Sequence, residues 1–127
     1  MPEAVVRAAV ALLWGGEDAR VQALVDTSYR DHAAAFAGRG PDGFLSERRR
    51  LREAFADVVV TPHELVAAGE HVAVRLRFQG LHVGRFAGLE PCGRTVEWEE
   101  IHLWRVRGGR LVEHWAGRGD LAALRWT

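Results

Sequence analysis

One stretch of the chain reads Trp98-Glu99-Glu100-Ile101-His102-Leu103-Trp104-Arg105-Val106-Arg107-Gly108-Gly109-Arg110-Leu111-Val112-Glu113-His114-Trp115. Two alternating runs flank Gly108-Gly109, a two-residue turn of the kind that tightly joined antiparallel strands favour. This predicts a hairpin of Val96–Val106 against Arg110–Trp115. With the two glycines as the turn, Val106 pairs with Leu111, Trp104 with Glu113 and His102 with Trp115. Alternation then places Trp98, Glu100, His102, Trp104, Val106, Leu111, Glu113 and Trp115 on one face. Glu97, Glu99, Ile101, Leu103, Arg105, Val112 and His114 take the other.

The first face mixes three tryptophans with three ionisable groups. Turned to water, it would be a large exposed aromatic patch. Sealed in a dry core, each unpaired polar group would cost about 1–3 kcal/mol, and an unpaired charge more. A cavity wall accommodates both kinds of side chain. Trp98, Glu100, Trp104 and Trp115 are therefore candidate substrate-binding residues, and His102 and Glu113 candidate catalytic ones. His102 is preferred to His114 because it shares this face. The structural alternative pairs Glu113 with an arginine of a neighbouring element, for packing alone. Asp120 lies beyond Gly117-Arg118-Gly119; strict alternation puts it with His114, and one bulge puts it with Glu113 and Trp115.

Upstream, Glu3–Trp14 has helical spacing and ends at Gly15-Gly16. A second helix is expected from Glu17 to about Ser28, with Val21, Leu24 and Val25 on one face. Gly38-Arg39-Gly40-Pro41-Asp42-Gly43 reads as a loop, and Phe44–Phe55 as a third helix. Its Arg48, Arg49, Arg50 and Arg52 have Glu47 and Glu53 at helix-pair distances and are read as a solvated face. From Val58 the pattern becomes extended, giving strands around Val58–Val66 and His71–Gly80, and Leu81–Gly93 is read as an irregular connection.

At 127 residues the chain has room for one ordinary domain, residues 1–127. Seventeen basic residues balance seventeen acidic ones, so no net field draws it to nucleic acid or an acidic membrane. One cysteine, Cys92, excludes an internal disulfide and any multi-cysteine metal site. The apolar run Ala8–Trp14 is short for a membrane span, and Met1-Pro2-Glu3 lacks the basic start of a signal peptide. A cytoplasmic location is expected. The histidines show neither His-x-His nor His-Glu-x-x-His spacing, so no metal site is expected.

The chain also resembles the SnoaL-like polyketide cyclases over nearly its whole length. The likeness rests on Tyr29 with Asp31-His32, Gly40-Pro41-Asp42-Gly43-Phe44, Gly69-Glu70-His71-Val72-Ala73-Val74-Arg75, Gly80-Leu81-His82-Val83-Gly84, Pro91-Cys92-Gly93-Arg94, and Gly109–Trp115 followed by Asp120. It implies an α+β fold: a strongly bent, mainly antiparallel sheet wrapped by N-terminal helices into a cone with an internal pocket. It further implies a cofactor-independent cyclase that closes a ring by intramolecular aldol condensation on an apolar, carbonyl-bearing small molecule of polyketide type, as part of antibiotic biosynthesis.

In this family an aspartate near the end of the last strand acts as acid and base, a role that falls to Asp120, with His102 and Glu113 assisting. Four residues, Ala116–Gly119, separate Trp115 from Asp120 where the family commonly has three. The resemblance and the apolar outer face together imply a homodimer. Relatives on this fold also hydrolyse epoxides, hydroxylate, or bind small molecules without catalysis, so hydrolase or hydratase, hydroxylase and binding-only readings stand as alternatives. Two residues keep two readings each. His82 orients a substrate oxygen or bonds backbone in a tight loop, and Tyr29 caps the pocket mouth or, with Asp31-His32, anchors the helix–loop junction.

Overall fold

The computed structural model describes residues 2–33, 38–86, 88–118 and 125–126. In chain order the elements are α1 (Pro2–Leu12), α2 (Asp18–Leu24), β1 (Val25–Asp31), β2 (Gly38–Arg39), α3 (Gly40–Ala54), β3 (Phe55–Ala68), β4 (His71–His82), β5 (Thr95–Arg107), β6 (Arg110–Arg118) and β7 (Arg125–Trp126). The strands form one sheet in the order β2-β1-β6-β5-β4-β3, with β7 pairing against Val96 and Glu97 of β5. β1 and β6 run parallel; the other pairs are antiparallel. The fold is α+β, as the sequence implies, with the curled sheet left unclosed and its concave face covered by the helices.

The core follows from the helical and strand periods. Val6, Ala9 and Val10 of α1, Val21 of α2 and Phe44, Leu51 and Ala54 of α3 meet Val72, Val74, Leu76 and Phe78 of β4. Along β5 every second residue from Val96 to Val106 is buried, the alternation expected of a strand with one face inward. None of the helices described is long and apolar enough to cross a membrane.

Three sequence expectations are corrected. The second helix stops at Leu24, and Val25–Asp31 is a strand. Asp26 draws the chain out of the helix: its carboxylate accepts from Ser28 N at 2.9 Å and from Ser28 Oγ at 2.5 Å, a local alternative to helical bonding. The parallel partner β6 then supplies ladder bonds that no local pattern announces. Gly40–Gly43, read as a loop, is the first turn of α3, where Pro41 loses nothing by lacking an N–H. Arg48 is not solvated but buried, its guanidinium donating to the carbonyls of Gly15 at 2.9 Å and Gly16 at 3.3 Å and pairing with Asp18.

The hairpin carries the most consequential difference. Val106 pairs with Leu111, but Arg105 pairs with Glu113, so Val112 is an extra residue in β6. Such a bulge reverses the facing of everything after it. Trp104 consequently pairs with His114, Leu103 with Trp115 and His102 with Ala116. The expected Trp104–Glu113 and His102–Trp115 pairs are absent. Leu111 and Val112 are both buried, which strict alternation would not allow; the bulge hides two successive apolar side chains.

On the convex face, Arg75 of β4 joins Glu64 of β3, at 2.6 and 3.1 Å, to Glu99 of β5 at 3.0 Å. Its hydrogen bonds hold the Glu64 carboxyl down to about 2. Behind His82 the chain turns tightly, with Val83 N and Gly84 N both donating to the Ala54 carbonyl at 2.9 and 3.0 Å. A Cβ on Gly84 would lie 2.1 Å from the backbone oxygen of Glu53, too close for any small rearrangement. Gly84→Ala is therefore expected to destabilise by about 1–3 kcal/mol. A urea midpoint unchanged from the parent would show that this approach is not tight.

Candidate active site

A cavity of about 310 Å³ opens between α3 and the concave face of the sheet, lined in part by Tyr29, Asp31, Phe44, Arg48, Phe78, Glu100, His102, Trp104 and His114. Its volume is in the range of small-molecule sites. The strands supply the ionisable groups and the helices much of the apolar wall. Four buried ionisable side chains run along the wall in an unbroken line. Asp31 Oδ1 lies 2.9 Å from His114 Nδ1, His114 Nε2 lies 2.7 Å from His102 Nδ1, and His102 Nε2 lies 2.7 Å from Glu100 Oε1. The ends are held by donors: Ala33 N bonds Asp31 Oδ1 at 2.9 Å, and Trp98 Nε1 bonds Glu100 Oε2 at 2.7 Å.

The line has a definite proton requirement. Each of its three contacts is a hydrogen bond only when one proton lies in it. Two carboxylates and two neutral imidazoles bring two protons, so a third is needed and the filled line carries one negative charge. With the extra proton on Asp31, the acid donates to His114, His114 to His102, and His102 to the Glu100 carboxylate. With it on Glu100, every bond points the other way. The two forms differ by one short hop in each hydrogen bond, so either end can serve as acid while the other serves as base. Burial, opposed by the hydrogen bond to the Asp31 carboxylate, holds His114 below its ordinary value of 6.5, which favours forms in which this imidazole is neutral.

Trp104 supports the line from one side, stacking on His114 at 4.5 Å and on His102 at 5.1 Å between ring centres. Its indole nitrogen is buried without a hydrogen bond of ordinary geometry, an arrangement that costs about 1–3 kcal/mol when nothing answers it. The Tyr29 hydroxyl is close enough for that N–H to act on it. Tyr29 itself donates to Asp31 Oδ2 across 3.4 Å, long for an O–H···O bond. Burial, reinforced by the neighbouring Asp31 charge, raises the phenol well above its usual range, so it keeps its proton.

Of the residues singled out from sequence, Tyr29, Glu100, His102 and Trp104 line the cavity. Trp98 stands behind Glu100 and stacks on Phe78 at 5.1 Å. His82 is buried against Phe55, with neither ring nitrogen bonded to a described residue, and it is not among the cavity-lining residues. Glu113 and Trp115 lie on the opposite side of β6. Glu113 pairs with Arg105 at 2.7 Å and His32 at 2.9 Å, and Trp115 stacks on His32 at 5.0 Å. Asp120 is outside the described residues.

The sequence reading missed Asp31, taken as an anchor, and His114, assigned to the far face. The adjacent apolar pair Leu111-Val112 was the available sign of the bulge. The spacing of Tyr29 and Asp31, two apart, was the sign that both could face one side of a strand. Among the described residues no group of three or more His, Cys, Asp or Glu could hold a metal ion.

The lowered His114 value has a definite sign for stability. The unfolded imidazole takes its proton near pH 6.5, while the folded one resists until lower pH, so the unfolded state binds more protons in that interval. Stability supplied by keeping His114 neutral is complete above 6.5 and declines as pH falls through the interval below it. His114→Asn is expected to flatten the acid side of a plot of urea midpoint against pH. Parallel plots for parent and variant would contradict the buried neutral imidazole.

A family model described as SnoaL-like polyketide cyclase matches residues 3–125. The chain is 32% identical over 77 residues to the aklanonic acid methyl ester cyclase DnrD of Streptomyces peucetius, covering 60% of this chain and 53% of that protein. It is 31% identical over 70 residues to the nogalonic acid methyl ester cyclase of Streptomyces nogalater, covering 55% and 46%. The matches thus span about half the length of each relative. Among solved structures, IdmH of Streptomyces antibioticus superposes with a TM-score of 0.79 at 27% identity, over 93% of this chain and 91% of that one. TsrD of Streptomyces laurentii superposes at 0.80 with 23% identity, over 91% and 86%, a likeness of fold. The match over residues 3–125, on a curled sheet with a lined cavity, makes this chain a member of the SnoaL-like polyketide cyclase family.

Proposed function

We propose that residues 1–127 form one domain acting as a polyketide cyclase that closes a ring by intramolecular aldol condensation, using acid–base chemistry and no cofactor. The observation that carries this reading is the Asp31–His114–His102–Glu100 line on the cavity wall. An aldol closure needs a base to take a proton beside one carbonyl and an acid to return a proton to the oxygen of another. The line offers both within a single hydrogen-bonded unit, and such proton transfer contributes about 10²–10⁴-fold in rate. Asp120 is proposed as a further acid/base group acting together with the line, on its match to the family's aspartate. Membership of the family and the named relatives support a polyketide substrate and a place in antibiotic biosynthesis.

On this reading His102 and Asp120 act on the substrate. Trp104 and Tyr29 bind it, and Trp98 acts through Glu100. Glu113, with its Arg105 and His32 partners, is better suited to tying the segment after β1 to the sheet than to proton transfer.

The test uses aklanonic acid methyl ester and nogalonic acid methyl ester as probes, with no added cofactor. Aldol closure that keeps the new hydroxyl gives a product of unchanged mass; hydrolysis would add solvent oxygen. His102→Asn and His114→Asn are expected to lower kcat by about 10²–10⁴-fold with KM little changed. Full turnover by either folded variant would remove the line from the mechanism, and full turnover by folded Asp120→Asn would remove Asp120. No turnover of either ester by the parent would count against a substrate of this type.

A homodimer is also proposed, through the convex face, where Ile101, Val59 and Val66 are 59%, 56% and 65% exposed. Light scattering should then give twice the chain mass, falling towards the monomer in Ile101→Glu. A monomeric parent would refute it.

A further inference from the structure

We propose that the Tyr29 hydroxyl and the Trp104 indole N–H together hold the substrate oxygen that becomes negative when a proton leaves the adjacent carbon. This deepens the acid–base reading and rests on it. Both side chains line the cavity and are buried to within 1%. Each donor is under-used: the indole N–H has no hydrogen bond of ordinary geometry, and the hydroxyl reaches its acceptor only at 3.4 Å. The two lie close enough to act on each other, so one oxygen can take both. Donors held in place before reaction, in a site sheltered from water, are what a developing oxyanion requires.

Charge balance favours the same arrangement. Before reaction the filled line carries one negative charge. Proton abstraction breaks a C–H bond, leaves its electron pair as an enolate, and adds the proton to the line. The line becomes neutral as the oxygen becomes negative, so the pocket's total charge does not change. The negative oxygen meets Tyr29 and Trp104 when the Asp31 end of the line has lost its charge. Trp104 lies flat against both imidazoles, which brings the acceptor of the proton and the donors to the oxygen into one neighbourhood.

The probe is a series of substituted 2-naphthols of graded acidity, with naphthalene as the non-ionising member. Binding is followed by tryptophan fluorescence at neutral pH, and ionisation by naphtholate absorbance. In the parent, affinity should rise with acidity and the bound naphthols should ionise. Tyr29→Phe is expected to weaken the most acidic naphthol by about 10–100-fold, the worth of a charge-assisted hydrogen bond. Naphthalene should change by no more than about twofold.

Trp104→Phe should act in the same direction. Replacement of Tyr29 by 3-fluorotyrosine, which keeps the shape and strengthens the donor, should tighten binding of the acidic members. Near-ultraviolet circular dichroism checks folding, and the fluorotyrosine protein decides the matter if Tyr29→Phe does not fold. Affinity independent of acidity in the parent, or an unchanged slope in both tyrosine variants, overturns the proposal. A graded series without turnover of the polyketide esters keeps the oxygen site and removes the cyclase reading; turnover with a flat series does the reverse.

Discussion

The hydrogen-bonded line from Asp31 to Glu100 is the constraint around which the concave face is arranged. Four ionisable groups cannot enter a largely apolar interior one at a time, because each unpaired charge would cost far more than its neighbours' burial returns. Each member is stabilised by the next, and the end carboxylates are met by Ala33 N and the Trp98 indole. The surrounding packing serves this line. Trp104 lies against both imidazoles, while Phe78 and Trp98 stack beside its Glu100 end. Such a unit keeps its hydrogen bonds whichever end holds the extra proton, a property suited to moving protons at a site sheltered from water.

Two backbone irregularities make the line possible. The bulge at Val112 turns His114 inward opposite Trp104 and sends Glu113 outward to Arg105 and His32. The early end of α2, where Asp26 captures Ser28, frees Val25–Asp31 to lie parallel to β6 and brings Asp31 beside His114. A regular hairpin and a longer helix would each leave an imidazole or a carboxylate without its neighbour. Departures from ideal geometry at this wall coincide with its chemistry, as strained or irregular segments often do at working sites.

Local pattern carried much of the architecture. The face of β5 bearing Trp98, Glu100, His102 and Trp104 could be read from alternation alone, because one buried side repeats every two residues. α1 and most of α3 were legible from helical spacing. Arg48 was misread because an exposed and a buried arginine look alike in sequence; its carbonyl partners at Gly15 and Gly16 belong to another element. Half of the line was equally hidden. Asp31 and His114 are 83 positions apart, and no spacing rule links residues that meet through parallel strand pairing.

The sequence by itself determined the fold class, the buried face of β5, the glycine turn at Gly108-Gly109 and the family likeness, since all of these rest on short-range periodicity or on motifs. Tertiary structure alone decided which face of β6 meets the cavity. That choice depends on where one extra residue is accommodated: with the bulge at Val112, Leu111 and Val112 are both buried and His114 reaches Asp31 and His102.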